Sequence, residues 1–382
     1  MRYFLFLLSI FFASKAFCAD VKDYTISGRI VSDLRFEKHD SQNSRSEYDE
    51  AFVKARLLTK LNLKEGFAVN GQIFLNRFDG ASGTARRLNS SDGGGDRLME
   101  NMGLILREFN LSQSGKNYAI SAGKFNLNFG EAWFFTNGIW LRDLANNNYR
   151  QQEKIGIRGN YEIGDLKKTG RYNFGFSAFT NDSKNFDNAM INGRDSFGKS
   201  DARAGDTRSL ESYLATLNVN FDFGEKEKLS YHFGYLNLAV DGKNSKLAPA
   251  KIADQKNWVA NINYLHPYKK VSLNWFVEFV EAKNLDGNSD ISEKYLTATL
   301  DTIFNKNWSV LIGRSKRQNM QIGALGFDQT LSEASVKYQF AGNEFFDLLT
   351  LQVGHEWFRN DYKTSHDNQK SLGLLVRYYK NF

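Results

Sequence analysis

The sequence predicts an all-β chain folded as a transmembrane antiparallel up-and-down β-barrel. Three observations point there. Polar and apolar residues alternate with period 2 along many short segments, as in strands that face two different media. The connections between those segments alternate between short and long. The composition is rich in aromatics and poor in proline, with 32 Phe, 17 Tyr and 2 Pro in 382 residues. Strands that cross a membrane with one apolar and one polar face have moderate hydropathy and aromatic belts. Proline is kept out because it breaks the ladder. Mean hydropathy is negative, and no segment after the first twenty residues reaches the roughly 18 apolar residues of a spanning helix. In hydrocarbon every backbone amide must be paired internally, so strands cross only as a closed barrel.

The chain opens with a leader. Met1-Arg2 is a short basic start, residues 3–12 are apolar, and Ala16-Phe17-Cys18-Ala19 offers a cleavage site. Residues 1–19 read as a cleaved secretory signal peptide, and residues 20–382 as one barrel domain. Cys18 as a lipid-bearing cysteine is the alternative, and the bulky Phe17 before it fits that motif poorly. The mature chain folds without disulfides.

Alternation is clearest in four segments. Tyr24, Ile26, Ile30, Leu34 and Phe36 oppose Thr25, Ser27, Arg29, Asp33 and Arg35. Ile155, Ile157, Tyr161 and Ile163 oppose Lys154, Arg158, Asn160 and Glu162. Tyr213, Ala215, Leu217, Val219, Phe221 and Phe223 oppose Ser212, Thr216, Asn218, Asn220 and Asp222. Ala334, Val336, Tyr338 and Phe340 oppose Glu333, Ser335, Lys337 and Gln339. Together with less regular segments, the candidates are 22–36, 49–63, 67–78, 98–111, 117–126, 153–163, 170–180, 209–223, 229–240, 256–265, 270–282, 292–303, 308–315, 328–340, 348–358 and 369–382. That is about 16 strands, an even number as bacterial barrels require. Both prolines, Pro249 and Pro267, fall between candidates. Long connections are expected at 37–48, 79–97, 127–152, 181–208, 241–255, 283–291, 316–327 and 359–368, strictly alternating with short ones. Around sixteen strands leaves an aqueous lumen.

The last strand runs Leu372, Leu374, Val376, Tyr378, Lys380, Phe382 on one side and ends on an aromatic. It resembles the closing strand of Gram-negative outer-membrane β-barrels, in which the final aromatic marks the chain for the barrel-assembly machinery. The segment Ala122-Gly123-Lys124-Phe125-Asn126-Leu127-Asn128-Phe129-Gly130 is similar to the G-(K/R)-F-x-x-x-F-G stretch of several proteobacterial porin families. The resemblance to the sixteen-stranded general and selective porins covers the whole chain as architecture, but only these segments as residues. It implies an outer-membrane location, short periplasmic turns, long extracellular loops, a homotrimer, and contact with outer-membrane lipid and lipopolysaccharide. It also implies that the third long loop folds into the lumen as a constriction. Glu131, Arg142 and Asp143 would then face the narrowest passage, with basic residues opposite, while Trp133, Phe134, Phe135 and Trp140 pack the loop on the wall. The alternative for this loop is a further strand or an outer aromatic belt.

The formal charge is +7, of which Arg2 and Lys15 belong to the leader. Arg29, Arg35, Arg56, Arg158, Lys337 and Arg377 are expected on the lumen face, with Glu162 among the acids. Rings of wall charge set ion preference, so a mild anion preference is one reading; a balanced lumen with the excess on outer loops is the other. The expected function is a water-filled porin for passive diffusion of ions and small hydrophilic solutes. The alternative is a structural or adhesive surface barrel without conductance, its loops at 79–97 and 181–208 binding partners. No metal-ligand spacing joins His39, His232, His266, His355 and His366, no nucleophile elbow or phosphate loop is present, and neither cofactor nor nucleic acid is expected. His355 beside Glu356 is the one pair an enzymatic reading would use.

Overall fold

The computed structural model describes residues 24–41, 48–77, 97–99, 102–181, 204–207, 209–224, 227–241, 251–322, 326–342, 346–362 and 365–382. The leader 1–19, Pro249, and residues 78–96 and 182–203 of the two largest expected loops lie outside the described residues.

Sixteen antiparallel strands follow one another around a barrel. They are β1 (Thr25–Ser41), β2 (Tyr48–Asn62), β3 (Phe67–Arg77), β4 (Met102–Ser114), β5 (Tyr118–Phe125), β6 (Lys154–Asp165), β7 (Gly170–Asn181), β8 (Ser212–Gly224), β9 (Glu227–Leu238), β10 (Gln255–Tyr268), β11 (Val271–Lys283), β12 (Ile291–Ile303), β13 (Trp308–Gln321), β14 (Phe327–Gln339), β15 (Leu349–Tyr362) and β16 (Ser365–Asn381). Each pairs with its sequence neighbours, and β16 pairs back with β1 from Arg29↔Asn381 to Ser41↔Gln369, so the sheet has no free edge. A two-residue stretch, Arg97–Leu98, runs parallel to β2 beyond the end of β3. All sixteen sequence candidates are strands.

Residues directly opposite share a face, so the register sorts inside from outside. Asp33↔Arg377, Asp33↔Lys54 and Glu333↔Glu356 face the lumen. Phe109, Ile157, Phe176, Phe233, Leu296, Ile312, Val353 and Leu372 face outward and are exposed. Two aromatic girdles bound this apolar belt. Tyr213, Tyr235 and Trp258 form a chain near the long-loop end, with ring centroids 6.0 and 4.4 Å apart. Trp308, Tyr338 and Phe340 do the same at the opposite end, at 4.6 and 5.0 Å. From Trp258 to Tyr268 along β10 is about 33 Å of strand; tilted by about 40° it spans about 25 Å, the height of an outer-membrane apolar band.

Two expectations are corrected. Pro267 lies inside β10, opposite Ser272, not between strands. It sits one residue from the strand end, where a missing N–H costs the ladder little. The strict alternation of connection lengths also fails on one side of the barrel. β13 runs to Gln321, β15 to Tyr362, and β16 starts at Ser365, so the expected loops 316–327 and 359–368 are mostly strand. These extensions project past the apolar belt with both faces wet, so hydropathy loses its period-2 signal there. Cross-strand charge pairs mark them instead: Lys316–Asp328 at 3.2 Å and His366–Asp361 at 2.6 Å.

The seam closes on Phe382. Gly28 donates its N–H to the Phe382 carbonyl at 2.8 Å, and Phe382 donates back to the Gly28 carbonyl at 3.0 Å. A β-carbon on Gly28 would lie 2.3 Å from the Phe382 ring. The Gly28→Val variant is therefore expected to displace the ring and reduce the yield of folded, heat-modifiable barrel on refolding into micelles. Phe382→Ala combined with Gly28→Val should lose no more than either single change. Full wild-type yield for Gly28→Val would show that the seam does not need this contact.

Candidate functional site

The lumen is occupied by the connection between β5 and β6. It forms two short helices, α1 (Ala132–Phe135) and α2 (Leu141–Asn148). The loop is apolar because it packs on a wall instead of facing water. Phe125, Leu127, Phe129, Leu144 and Tyr149 are buried against Leu236, Val259, Phe276 and Val280 of β9 to β11. Ile139, Trp140 and Leu141 are buried against Leu311, Leu331, Phe358 and Leu375 of β13 to β16. The wall is cut back to admit them: a β-carbon on Gly373 would lie 2.5 Å from Trp140, and one on Gly313 2.6 Å from Leu141.

Carboxylates on the wall hold the loop. Glu333 on β14 accepts the backbone N–H groups of Ile139, Trp140 and Leu141 at 2.6, 2.9 and 3.0 Å. These donors open α2, and its own cap residue offers no side-chain acceptor; the wall supplies the N-terminal anion a helix start favours. Glu278 on β11 accepts the N–H groups of Glu131 and Ala132 at 2.5 and 3.1 Å and the Tyr149 hydroxyl at 2.5 Å. Glu37 on β1 accepts the Trp140 indole N–H at 2.9 Å, and Asp301 on β12 accepts from the Asn137 amide at 2.6 Å.

The residues expected at the constriction are placed as follows. Arg142 donates to Asp33 at 3.1 Å, and Asp33 also accepts from Arg377 at 2.7 and 2.8 Å. Glu131 accepts from Asn261 at 3.2 Å and lies 3.9 Å from His232 Nδ1. Asp143 stands in the first turn of α2. Arg142 and Glu131 thus touch the wall that carries the loop, and the groups they meet there are an acid and an amide. Phe135 stacks on Phe276 at 5.5 Å and Trp140 is buried. Phe134 does not pack on the wall: it is 63% exposed. Trp133 lies under the Arg150 guanidinium at 3.5 Å.

The remaining expected lumen charges separate by position. Arg29, Arg56 and Arg158 lie on the lumen face of β1, β2 and β6, in line with the pairs Val31↔Arg56 and Ser121↔Arg158. Arg35 is buried and reaches Glu37 at 3.4 Å. Lys337 faces inward opposite Gln352. Glu162 pairs with Arg171 at 3.4 Å near the turn end of β6. His355 and Glu356 are adjacent in sequence and so point to opposite faces; His355 lies against Trp357 outside, and Glu356 is buried inside.

A cavity of about 800 Å³ lies between the start of the loop and the wall of β1 to β8. Its charged lining is Arg29, Lys60, Arg158 and Glu108, among amides such as Asn70, Asn160, Asn173 and Asn218. Arg158 donates to the Ser121 hydroxyl at 2.8 Å and the Asn126 carbonyl at 3.2 Å; Arg29 donates to the Asn381 amide oxygen at 3.2 Å. These hydrogen-bond partners are all neutral. The acids that hold the loop were not predicted to do so. Glu278 had a visible signal: it is one carboxylate inside Trp275-Phe276-Val277-Glu278-Phe279-Val280, a burial that only a cluster of donors makes tolerable.

Two expectations follow. Glu333→Ala orphans three backbone donors, each worth on the order of 1–3 kcal/mol when buried and unpaired. The loop should loosen, giving faster proteolysis within 126–153 and larger single-channel conductance; unchanged cleavage and conductance would refute this anchoring. Burial pushes the Glu131 carboxyl up to about 7, opposed by the Asn261 hydrogen bond and aided by the Glu278 charge. The unseated value is about 4.3, so seating is strongest below that pH and weakens as pH rises to about 7. Open-channel noise should therefore grow between pH 5 and pH 8, and Glu131→Gln should flatten that dependence; an equally steep profile in the variant would assign it to other groups.

No family model matches the chain, and no curated protein matches it. Solved structures do. The outer-membrane channel DcaP of Acinetobacter baumannii matches with 14% identity, 95% of this chain, 99% of that one and a TM-score of 0.53. OpdK of Pseudomonas aeruginosa, solved with vanillate, matches with 11% identity over 94% and 99%, TM-score 0.52. OmpT of Vibrio cholerae, an outer-membrane protein, matches with 13% identity over 95% and 100%, TM-score 0.51. At these identities the likeness is one of fold, and it agrees with the closed sheet and its apolar belt: the chain is a sixteen-stranded β-barrel with the fold of Gram-negative outer-membrane channels.

Proposed function

We propose that the chain is a porin, a water-filled channel for ions and small hydrophilic solutes, with a mild preference for anions. One observation carries the preference. The cavity beside the loop has three cations, Arg29, Lys60 and Arg158, against one acid, Glu108. Elsewhere on the wall, Asp33, Glu278, Glu333 and Asp301 are engaged by the loop and by Arg377. A cleft lined by one sign of charge raises the local concentration of the opposite ion, and wall charges of this kind set ion selectivity. The amide lining gives passing solutes donors and acceptors without holding any one charge. The constriction belongs to the same proposal: the loop with Glu131, Arg142 and Asp143 narrows the lumen from one side, and the basic wall of β1 to β6 faces it. Assembly as a homotrimer and recognition of Phe382 by the barrel-assembly machinery also stand as proposals, supported by the resemblance of the closing strand.

The test is single-channel recording of the refolded protein in a planar bilayer under a potassium chloride gradient. Steady conductance steps and a reversal potential of anionic sign are expected. Lys60→Glu with Arg158→Glu should move the reversal potential toward the cationic side without abolishing the steps. A folded barrel without conductance would overturn the channel and favour a surface-structural role. Cation selectivity in the wild type would overturn the charge reading alone.

A further inference from the structure

The amides that line the cavity fall into two groups. From β3 to the start of the loop they are engaged with protein. Asn70 donates to the Asn110 amide oxygen at 3.0 Å and to the Ser112 hydroxyl at 2.8 Å, and Asn126 donates to Gln72 at 3.1 Å and to Glu108. On β6 to β8 they are not. There Asn160 stands opposite Gly175, Gly175 opposite Thr216, and Asn173 opposite Asn218. All five line the cavity. Among the described residues, the side chains of Asn160, Asn173 and Thr216 meet no hydrogen-bond partner. Asn218 meets His232 Nδ1 through its Oδ1 alone, at 2.7 Å. A β-carbon on Gly175 would lie 2.3 Å from Thr216 Oγ1, so that hydroxyl lies over bare backbone with the amides around it. The charged neighbours of this patch are turned away from it. Arg158, opposite Ser177, donates to Ser121 and to the Asn126 carbonyl. Glu162, opposite Asn173, is paired with Arg171 at 3.4 Å.

We propose that Asn160, Asn173, Thr216 and Asn218 form a subsite in the lumen for a neutral polyhydroxylated solute, a small saccharide. The donor set selects hydroxyls. Each sugar hydroxyl both donates and accepts, and each side-chain amide offers an acceptor oxygen beside an NH₂ donor, so one amide can serve two neighbouring hydroxyls. The absence of charge among the four residues selects a neutral solute. An anion is drawn instead to Arg29 and Lys60 on β1 and β2, and a cation to Glu108. A strand glycine marks close backbone approach, and at Gly175 it leaves room for the Thr216 hydroxyl at the floor of the patch. The cavity of about 800 Å³ lies within the range of roughly 300–1,000 Å³ usual for small-molecule sites. A solute that must also leave is held weakly, so affinity in the millimolar range is expected. This inference rests on the channel reading and adds a class of solute to it.

The test follows maltose, a neutral disaccharide, on the full refolded chain. It has two readouts: saturation-transfer NMR in micelles, and the fall in open-channel current in a planar bilayer. Wild type is expected to give a saturable NMR signal, and a larger current reduction than glycerol gives at matched viscosity. The variant N160A/N173A should lose about tenfold in apparent affinity, equivalent to two neutral hydrogen bonds. Its conductance steps and reversal potential in potassium chloride should stay as in wild type, since neither side chain carries charge. Should that variant fail to refold, Gly175→Ala serves in its place: its methyl displaces the Thr216 hydroxyl and should weaken maltose binding. The subsite is overturned, with the channel reading intact, if wild type conducts but maltose gives no saturable signal, or if the variant binds maltose as wild type does. It is equally overturned if the variant weakens block by succinate as much as block by maltose. A folded barrel without conductance overturns the channel reading and this subsite with it.

Discussion

Every peptide group that passes through hydrocarbon has to find its partner within the chain. A strand cannot supply those partners alone, so the sheet must return on itself. In this barrel the return is made where β16 meets β1, and the final exchange of hydrogen bonds is between Gly28 and Phe382. The glycine is required by close approach: the aromatic ring lies across the position a side chain would take. Closure also fixes register, and register fixes which residues are wet. A slip of one residue at the seam would turn Asp33 and Arg377 to lipid and Leu34 and Val376 to water.

Closure creates a second constraint inside. A sixteen-stranded ring is too wide for side chains to fill, so the chain lays its β5–β6 connection into the space. A loop inside a barrel brings unpaired backbone donors, and here the wall answers them with carboxylates. Glu333 and Glu278 together accept five backbone N–H groups. The glycines Gly313, Gly354 and Gly373 give the loop its footing by leaving the wall bare under Leu141, Ile139 and Trp140. Loop and wall are therefore one packed unit, joined by apolar contact in two clusters and by charge at the points between.

Most of the barrel was legible in the sequence because period-2 alternation records the difference between lipid and water. It fades where that difference ends. β13, β15 and β16 run beyond the belt with polar residues on both faces, and there the strands were read as loops. Pro267 misled for a related reason: a residue that breaks a central ladder costs little one rung from its end. The loop was legible as an anomaly, since Trp133 to Trp140 is too apolar for solvent and does not alternate. Its attachments were not. Glu278 and Glu333 meet residues 131–149 across more than a hundred positions of sequence, and no local pattern encodes such a meeting. The three wall glycines carry no distinctive signal in strands that already tolerate small residues.

The charge of the lumen shows why composition alone is a poor guide to the electrostatics of a barrel interior. Acids and bases both face inward, and their numbers do not differ enough to decide anything. What separates them is the position of the loop. It covers the wall from β9 round to β1, and the carboxylates there are met by its N–H groups, by Arg142 and by Asn137. Those acids are buried and held by fixed donors, so they act little on the open passage. The cavity beside the start of the loop is bordered by Arg29 near the turn end of β1, by Lys60 and Arg158, by the acid Glu108 and by neutral amides. The loop that fills part of the lumen thus also engages carboxylates of the wall it lies on, so packing and charge distribution inside the barrel follow from a single packing event.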